Sequence, residues 1–210
     1  MEIMYRGNSI LGSNPSLSEL LKRGGKMVIL IVVGIILLVI ILAVIGIYNN
    51  LVRERNRVKN AWSQIDVQLK RRYDLIPNLV EVVKDYMSYE QETLTKVIEA
   101  RNFAMNAKGV KAQAEAENML SGALKSLFAV VENYPDLKAN ENVMRLQEEL
   151  TSTENRISYA RQFYNDSVMQ FNTMVETFPA NIVAAIFNFK QMEFFIIPES
   201  EKANVKVDLR

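Results

Sequence analysis

Charged residues at helix positions that a heptad pattern reserves for apolar side chains are the first candidates for chemistry in this sequence. They are Glu90, Arg101, Glu154 and Arg161, each spaced by multiples of seven residues from apolar positions such as Val83, Leu94 and Val168. A charge inside a helical assembly is costly unless it is paired. We therefore expect interhelical ion pairs that fix the register of the helices. The alternative is a carboxylate site for a cation or for proton transfer.

The composition removes most of the usual catalytic equipment. The 210 residues include no histidine and no cysteine, so the commonest general base, thiol chemistry, zinc knuckles and disulfides are excluded. Phosphate-cradling loops and nucleophile elbows are also absent from the sequence. The 25 basic residues nearly balance the 24 acidic ones, which argues against nucleic acid as a partner. We expect no enzyme activity, cofactor or metal site, with a carboxylate-based hydrolase as a distant alternative.

A long uncharged segment predicts a membrane anchor. No charged residue occurs between Met27 and Val52, and the apolar part, residues 27–48, is long enough to cross a bilayer as one helix. A cleaved signal peptide would be shorter and would end at a site of small residues. We expect a single-pass protein of the cell membrane. Basic residues after the segment, from Arg53 to Arg72, favour a cytoplasmic location for the bulk of the chain.

The first 26 residues differ from the rest. They are polar, rich in Gly and Ser, and end in RGGK before Met27. Purine-rich codons of the kind that form a ribosome-binding site can encode that ending. We expect residues 1–26 to be either a disordered extension or a translation of sequence upstream of the natural start at Met27.

After the anchor, apolar residues recur at helical periods almost throughout. The sequence predicts an all-α fold, in which the transmembrane helix is followed by an elongated antiparallel four-helix bundle, residues 49–190, and an irregular tail, residues 191–210. The predicted helices are a stalk ending near Pro77, then 78–108, 110–133 and 141–178, with a turn over 134–140 and Asn140 as an N-cap. The last helix carries a heptad column of Leu146, Thr153, Ala160, Ser167 and Met174, whose small members permit close helix approach and would be the interface of an oligomer.

The stretch AWSQIDVQLKRRYDLIPNLVE, residues 61–81, has an architectural explanation. Trp62 lies on the expected core face of the stalk, and Pro77 is expected to kink or end that helix. Between them, Asp66, Arg71, Arg72 and Asp74 would supply polar contacts near the helix end. The basic residues can also contact anionic lipid head groups.

Several segments closely resemble the bacterial LemA family. They include YNNLVRERNRVKNAWSQIDVQLKRRYDLIPNLVEVVKDY, LTKVIEAR, YPDLKANENVMRLQEELTSTENRISYARQFYNDSV and the closing VKVDL. The family motif residues that match are Trp62, Asp66, Arg72, Asp74, Pro77, Asn78, Pro135, Leu137, Glu154, Asn155, Arg156, Tyr164 and Asn165. Tyr89 stands where the family often has histidine, so no role of that histidine carries over.

The resemblance implies a single-pass membrane protein with a long helical bundle and no established catalytic activity. A relative in that family acts in forming magnetosome membranes, which suggests membrane organisation by analogy. We expect a membrane-anchored scaffold that self-associates or binds another membrane protein. The alternative is a direct lipid-binding, membrane-shaping protein, because Phe178 to Pro198 is apolar and aromatic enough to lie in a membrane interface. The competing expectation for that segment is that it folds back to cap the bundle.

Overall fold

The computed structural model describes residues 17–87 and 90–196, and every regular element in these ranges is a helix. The helices are α1 (Leu17–Lys84), α2 (Gln91–Asn106), α3 (Val110–Val131), α4 (Pro135–Lys138), α5 (Glu141–Glu176) and α6 (Ala180–Ile186). The predicted all-α class is confirmed over the described residues. Expectations for residues 1–16, for Tyr89 and for the tail from residue 197 lie outside them.

The membrane segment and the first helix of the soluble part are a single element, α1. This helix is long and apolar enough near its N-terminal end to cross a membrane, and its large apolar side chains from Met27 to Leu42 are exposed. The chain divides into two compact units between Ile47 and Tyr48. From Leu51 onward α1 buries an apolar face, so the same helix supplies part of the core of the second unit.

The expectation that Pro77 ends the first helix is wrong, because α1 continues through Pro77 to Lys84. A proline has no N–H to donate to the carbonyl four residues earlier, which here belongs to Tyr73. Arg101 of α2 donates from Nε to that carbonyl oxygen at 2.8 Å. Ile76 and Leu79, on either side of the proline, are fully buried. An external donor and the burial of its neighbours therefore keep the helix intact.

The second predicted helix, residues 78–108, is divided between two elements. Its first part belongs to α1, and α2 begins only at Gln91. The Glu90 carbonyl accepts the first hydrogen bonds of α2, from the N–H groups of Thr93 and Leu94. Gly109, at φ 89°, separates α2 from α3. The bounds of α3 are close to those of the predicted helix, residues 110–133.

The predicted turn over 134–140 contains one short helix, α4. The Asn140 side chain then accepts hydrogen bonds from the N–H groups of Asn142 and Val143, so it is the predicted N-cap of α5. The small residues of α5 face inward: Thr153, Ala160 and Ser167 are buried, and Leu146 is half-buried. They let α5 approach other helices of its own chain and are not available as an oligomer interface.

Side-chain contacts between distant parts of the sequence give the pairing of the helices in the second unit. Arg57 of α1 donates to Gln170 of α5 at 2.8 Å, and Arg71, further along α1, pairs with Glu149, earlier in α5. These two helices therefore run antiparallel. After α6, residues 189–196 form no regular element and lie along α5, as described below.

Candidate functional site

The most deeply buried charged groups of the second unit meet between α1 and α3. Arg72 Nη1 lies 3.2 Å from Glu117 Oε2, and the two side chains are 3% and 0% exposed. The Tyr73 hydroxyl donates a hydrogen bond to the other oxygen of Glu117. We use the name polar cluster for Arg72, Tyr73, Gln113, Glu117, Ser121 and Glu154.

Arg72 connects α5 to the same cluster. Its Nη1 also lies 2.9 Å from Glu154 Oε2, and its Nη2 donates to Ser121 Oγ at 2.8 Å. The planar guanidinium presents several donors in a fixed geometry, which suits it to bridge two carboxylates. The Glu154 side chain is 43% exposed, so the cluster reaches solvent at this carboxylate. One arginine thus ties α1, α3 and α5 together.

Gln113 completes the shell around Glu117. Its Nε2 lies 3.0 Å from Glu117 Oε1, 2.9 Å from the Tyr73 hydroxyl oxygen and 3.2 Å from the Ala104 carbonyl oxygen. These contacts join the end of α2 to α3 and α1. Burial, followed by the hydrogen bond with Glu117, raises the pKa of Tyr73 well above its usual value. Tyr73 therefore stays protonated and remains a donor even at alkaline pH, where a solvent-exposed tyrosine ionises.

This arrangement is better suited to fixing how the helices pack than to catalysis. Glu117 is fully enclosed and its two oxygens already accept from an arginine, a tyrosine and a glutamine. A general base or nucleophile needs a free lone pair directed at a substrate. A buried carboxylate that is satisfied on both oxygens instead fixes which helix faces meet.

Of the charged residues singled out first, Glu154 alone lies in this cluster. Arg101 donates to the Tyr73 carbonyl beside it, which differs from the expected ion pair. Arg161 is buried, and its guanidinium carbon lies 4.6 Å from the centre of the Phe195 ring. Glu90 is half-buried at the N-cap position of α2.

Trp62 belongs to an aromatic group on the α1 and α5 side of the unit. Its ring centre lies 5.4 Å from that of Tyr164 and 6.2 Å from that of Phe195. Partial burial raises the pKa of Asp66, although a hydrogen bond with Trp62 acts in the opposite direction. Burial, with a smaller effect of the Glu193 charge, raises the pKa of Tyr164 to about 12. Trp62 is half-buried and packs on the core side, as expected.

Of the remaining residues predicted from the sequence, Leu137 of α4 is fully buried and the others are on the surface. Arg71 forms an ion pair with Glu149 in which both side chains are nearly half exposed. The others with exposed side chains are Asp74, Pro77, Asn78, Asn155 and Arg156.

Two asparagines of α5 hold the segment that follows α6. Asn165 accepts from the Phe195 N–H at 2.8 Å and donates to the Phe195 carbonyl at 3.0 Å. Asn172 does the same with Met192, at 2.8 and 2.9 Å. Tyr164 adds a hydrogen bond from its hydroxyl to the Glu193 carbonyl at 2.9 Å. We call this the asparagine clamp, and it fixes residues 192–195 against α5.

Sequence reasoning missed several members of these groups, notably Glu117, Gln113 and Asn172. A signal for Glu117 was present, because it precedes Leu120, Leu124 and Leu127 at the three- and four-residue spacing of the apolar stripe. Asn172 lies seven residues after Asn165, so it shares a face of α5 with a residue that was identified. Gln113 carries no comparable signal, since nothing in the sequence distinguishes it from a surface glutamine.

A model of the LemA family matches residues 61–209. The chain belongs to the LemA family. The matched range contains the whole polar cluster and the asparagine clamp, so both lie in the part that defines the LemA domain. It begins after the apolar part of α1.

Individual relatives agree with this assignment. Protein LemA of Metamycoplasma hominis is 28% identical over 77% of this chain and 74% of its own length. Magnetosome protein MamQ 2 of Paramagnetospirillum magneticum is 25% identical, covering 70% of this chain and 64% of its own length. Magnetosome protein MamQ of Magnetospirillum gryphiswaldense is 24% identical with the same coverage. This chain therefore spans less than two thirds of the magnetosome proteins it matches.

Proposed function

We propose that this chain is a membrane-anchored helical scaffold that acts in membrane organisation or in assembly with other membrane proteins. The observation that carries the proposal is the continuity of α1. The apolar segment and the buried face formed by Leu51, Val58 and Ile65 belong to one uninterrupted helix. A domain whose core helix is also its anchor is attached to the bilayer without an intervening loop, which suits a protein that positions others at a membrane.

The architecture that we propose for this scaffold is an elongated antiparallel four-helix bundle of α1, α2, α3 and α5. The antiparallel α1 and α5, the contact of α2 with α3 across the break at Gly109, and the ties through Arg72 support it. The 36 residues of α5 extend for roughly 54 Å at about 1.5 Å per residue. Long helices packed side by side in this way offer large surfaces for protein contact.

One observation favours interaction over catalysis. The enclosed carboxylate of Glu117 is saturated with hydrogen bonds. Relatives are named magnetosome proteins, and a role in organising a membrane agrees with those names. We therefore propose a non-enzymatic function at the cell membrane, with the bulk of the chain in the cytoplasm.

A partner or a second copy would contact the exposed apolar surface between α1 and α5. Val67, Tyr159 and Phe163 are 63%, 73% and 38% exposed and line one shallow groove. Exposed aromatic residues beside an apolar groove are typical anchors of protein interfaces. We therefore propose this surface as the interface, in place of the small-residue column of α5, because that column is buried within the chain.

The proposal can be tested with the full-length protein in lipid nanodiscs and in its native membrane. A photo-crosslinking amino acid would replace Tyr159, and the control would carry it at Gln162, which is exposed on the same helix outside the groove. We expect a discrete crosslinked species, either a dimer or an adduct with a membrane protein, from position 159 only. A monomeric mass in nanodiscs together with equal crosslinking from both positions would contradict a scaffold that uses this surface.

A further inference from the structure

Residues 178–187, which include α6, carry no charge and expose apolar side chains. Phe178, Ile182, Ile186 and Phe187 are 75%, 52%, 70% and 51% exposed. Ile182 and Ile186 are four residues apart and share one face of α6. Val183 and Ala184, on its other side, are buried. A contiguous apolar surface of this kind marks a contact with a protein or a membrane.

The position of this surface in the second unit identifies its neighbour. The Phe187 ring centre lies 4.7 Å from that of Tyr48, and the Phe189 ring centre lies 5.8 Å from it. Tyr48 is the last residue of the apolar part, residues 27–48, where a membrane-spanning α1 would leave the hydrocarbon. Tyrosine is enriched at this level of membrane proteins because its ring is apolar and its hydroxyl is polar. The aromatic residues after α6 therefore pack on the residue that marks the membrane surface.

We propose that Phe178, Ile182, Ile186 and Phe187 form a second membrane contact, the interfacial foot, which inserts at the boundary between head groups and acyl chains beside α1. Such insertion places apolar side chains about 5–10 Å into that boundary. Arg53 and Lys190 are exposed close in sequence to Tyr48 and Phe189. Their charges can pair with anionic head groups. The occupant of this surface is thus lipid.

The interfacial foot adds a constraint that an anchor alone does not provide. A unit attached by a single helix can tilt relative to the bilayer plane. A second contact in the same leaflet restricts this tilt, and so limits how far the groove of Val67, Tyr159 and Phe163 can move toward or away from the bilayer. The inference rests on the proposed function in one respect, since it requires the apolar part of α1 to span the bilayer.

The absence of cysteine from the sequence makes a direct test possible. Single-cysteine variants Ile182→Cys and Ile186→Cys of the full-length protein would carry an environment-sensitive fluorophore, with Gln162→Cys as the matched exposed control. Each would be reconstituted into vesicles of phosphatidylcholine and phosphatidylglycerol. We expect labels at 182 and 186 to be quenched several-fold more by doxyl groups on the acyl chains, and several-fold less by aqueous iodide, than the label at 162.

Two results would overturn the interfacial foot. Labels at 182 and 186 that respond to both quenchers as the control does would place the surface in water. Protection from iodide without quenching by doxyl lipids, combined with self-quenching between labelled copies, would assign the surface to a second copy. Alkaline carbonate extraction of the same vesicles separates the two proposals. Release of the protein would refute the anchor, whereas a retained protein with water-exposed labels refutes the foot alone.

Discussion

Single residues in the core of this protein decide which helix faces can meet. Glu117 stands at a position where the apolar stripe of α3 continues with Leu120 and Leu124, so a leucine there would also bury well. The glutamate instead requires Arg72 and Tyr73 of α1 opposite it. Any other pairing of the helices would leave a charge buried without a partner, which is a strong penalty.

Replacing Glu117 with glutamine tests this requirement. Glu117→Gln leaves Arg72 buried with only Glu154 as its counter-charge, and we expect the free energy of unfolding to fall by about 3 kcal/mol. The matched control is Glu149→Gln, which removes the exposed pair with Arg71 and should cost less than about 1 kcal/mol. Urea unfolding in mild detergent, followed by the fluorescence of Trp62, measures both. Equal costs would mean that the buried pair carries no special weight.

Tyr164 predicts a measurable dependence of stability on alkaline pH. Its pKa is raised from 10.0 to about 12 in the folded chain. As pH rises through this window, the unfolded chain loses the proton that the folded chain retains, so the free energy of unfolding decreases. Tyr164→Phe should reduce the slope in this window without abolishing it, because the raised pKa of Tyr73 acts in the same direction. Loss of the hydrogen bond to Glu193 costs about 1 kcal/mol at neutral pH. A slope in Tyr164→Phe equal to that of the parent chain would exclude Tyr164 as a contributor.

At the level of elements, Pro77 and Arg101 form a compensating pair between α1 and α2. The proline leaves the Tyr73 carbonyl without its helical donor, and Arg101 supplies one. We expect Arg101→Met to destabilise the protein by about 2 kcal/mol, because a charged donor is lost and a carbonyl is left unsatisfied. In a Pro77→Ala background, the N–H of residue 77 can donate to the Tyr73 carbonyl. Arg101→Met should then cost about 1 kcal/mol less than it does in the parent chain. A double-mutant cycle by urea unfolding measures this coupling, and additive effects would contradict it.

The same pair explains which elements the sequence could predict. Periodicity and local signals located α3 and α5, and Asn140 marked the start of α5 because an N-cap acts within its own turn. Pro77 was misjudged because its effect depends on Arg101, which is distant in the sequence. The break before Gln91 carries neither glycine nor proline, so periodicity continued across it. The polar cluster was found only at Arg72 and Glu154, because residue types along one chain do not say which helices face each other.

For the whole molecule, the distribution of basic residues around the apolar segment predicts its orientation. Arg53, Arg55, Arg57 and Lys59 follow the segment closely, whereas Lys22, Arg23 and Lys26 precede it. The excess on the C-terminal side favours retention of that side in the cytoplasm.

A single introduced cysteine tests this orientation in cells. The Gln162→Cys variant presents its thiol on an exposed position of α5, and the parent sequence offers no other thiol. We expect a membrane-impermeant maleimide to label it only after the membrane is permeabilised. In a variant with Arg53, Arg55 and Arg57 all changed to glutamine, the charge excess is removed, and part of the population should become reactive in intact cells. Full labelling of the single variant in intact cells would place the helical unit outside, and the groove on α1 and α5 would then have to meet its partner there.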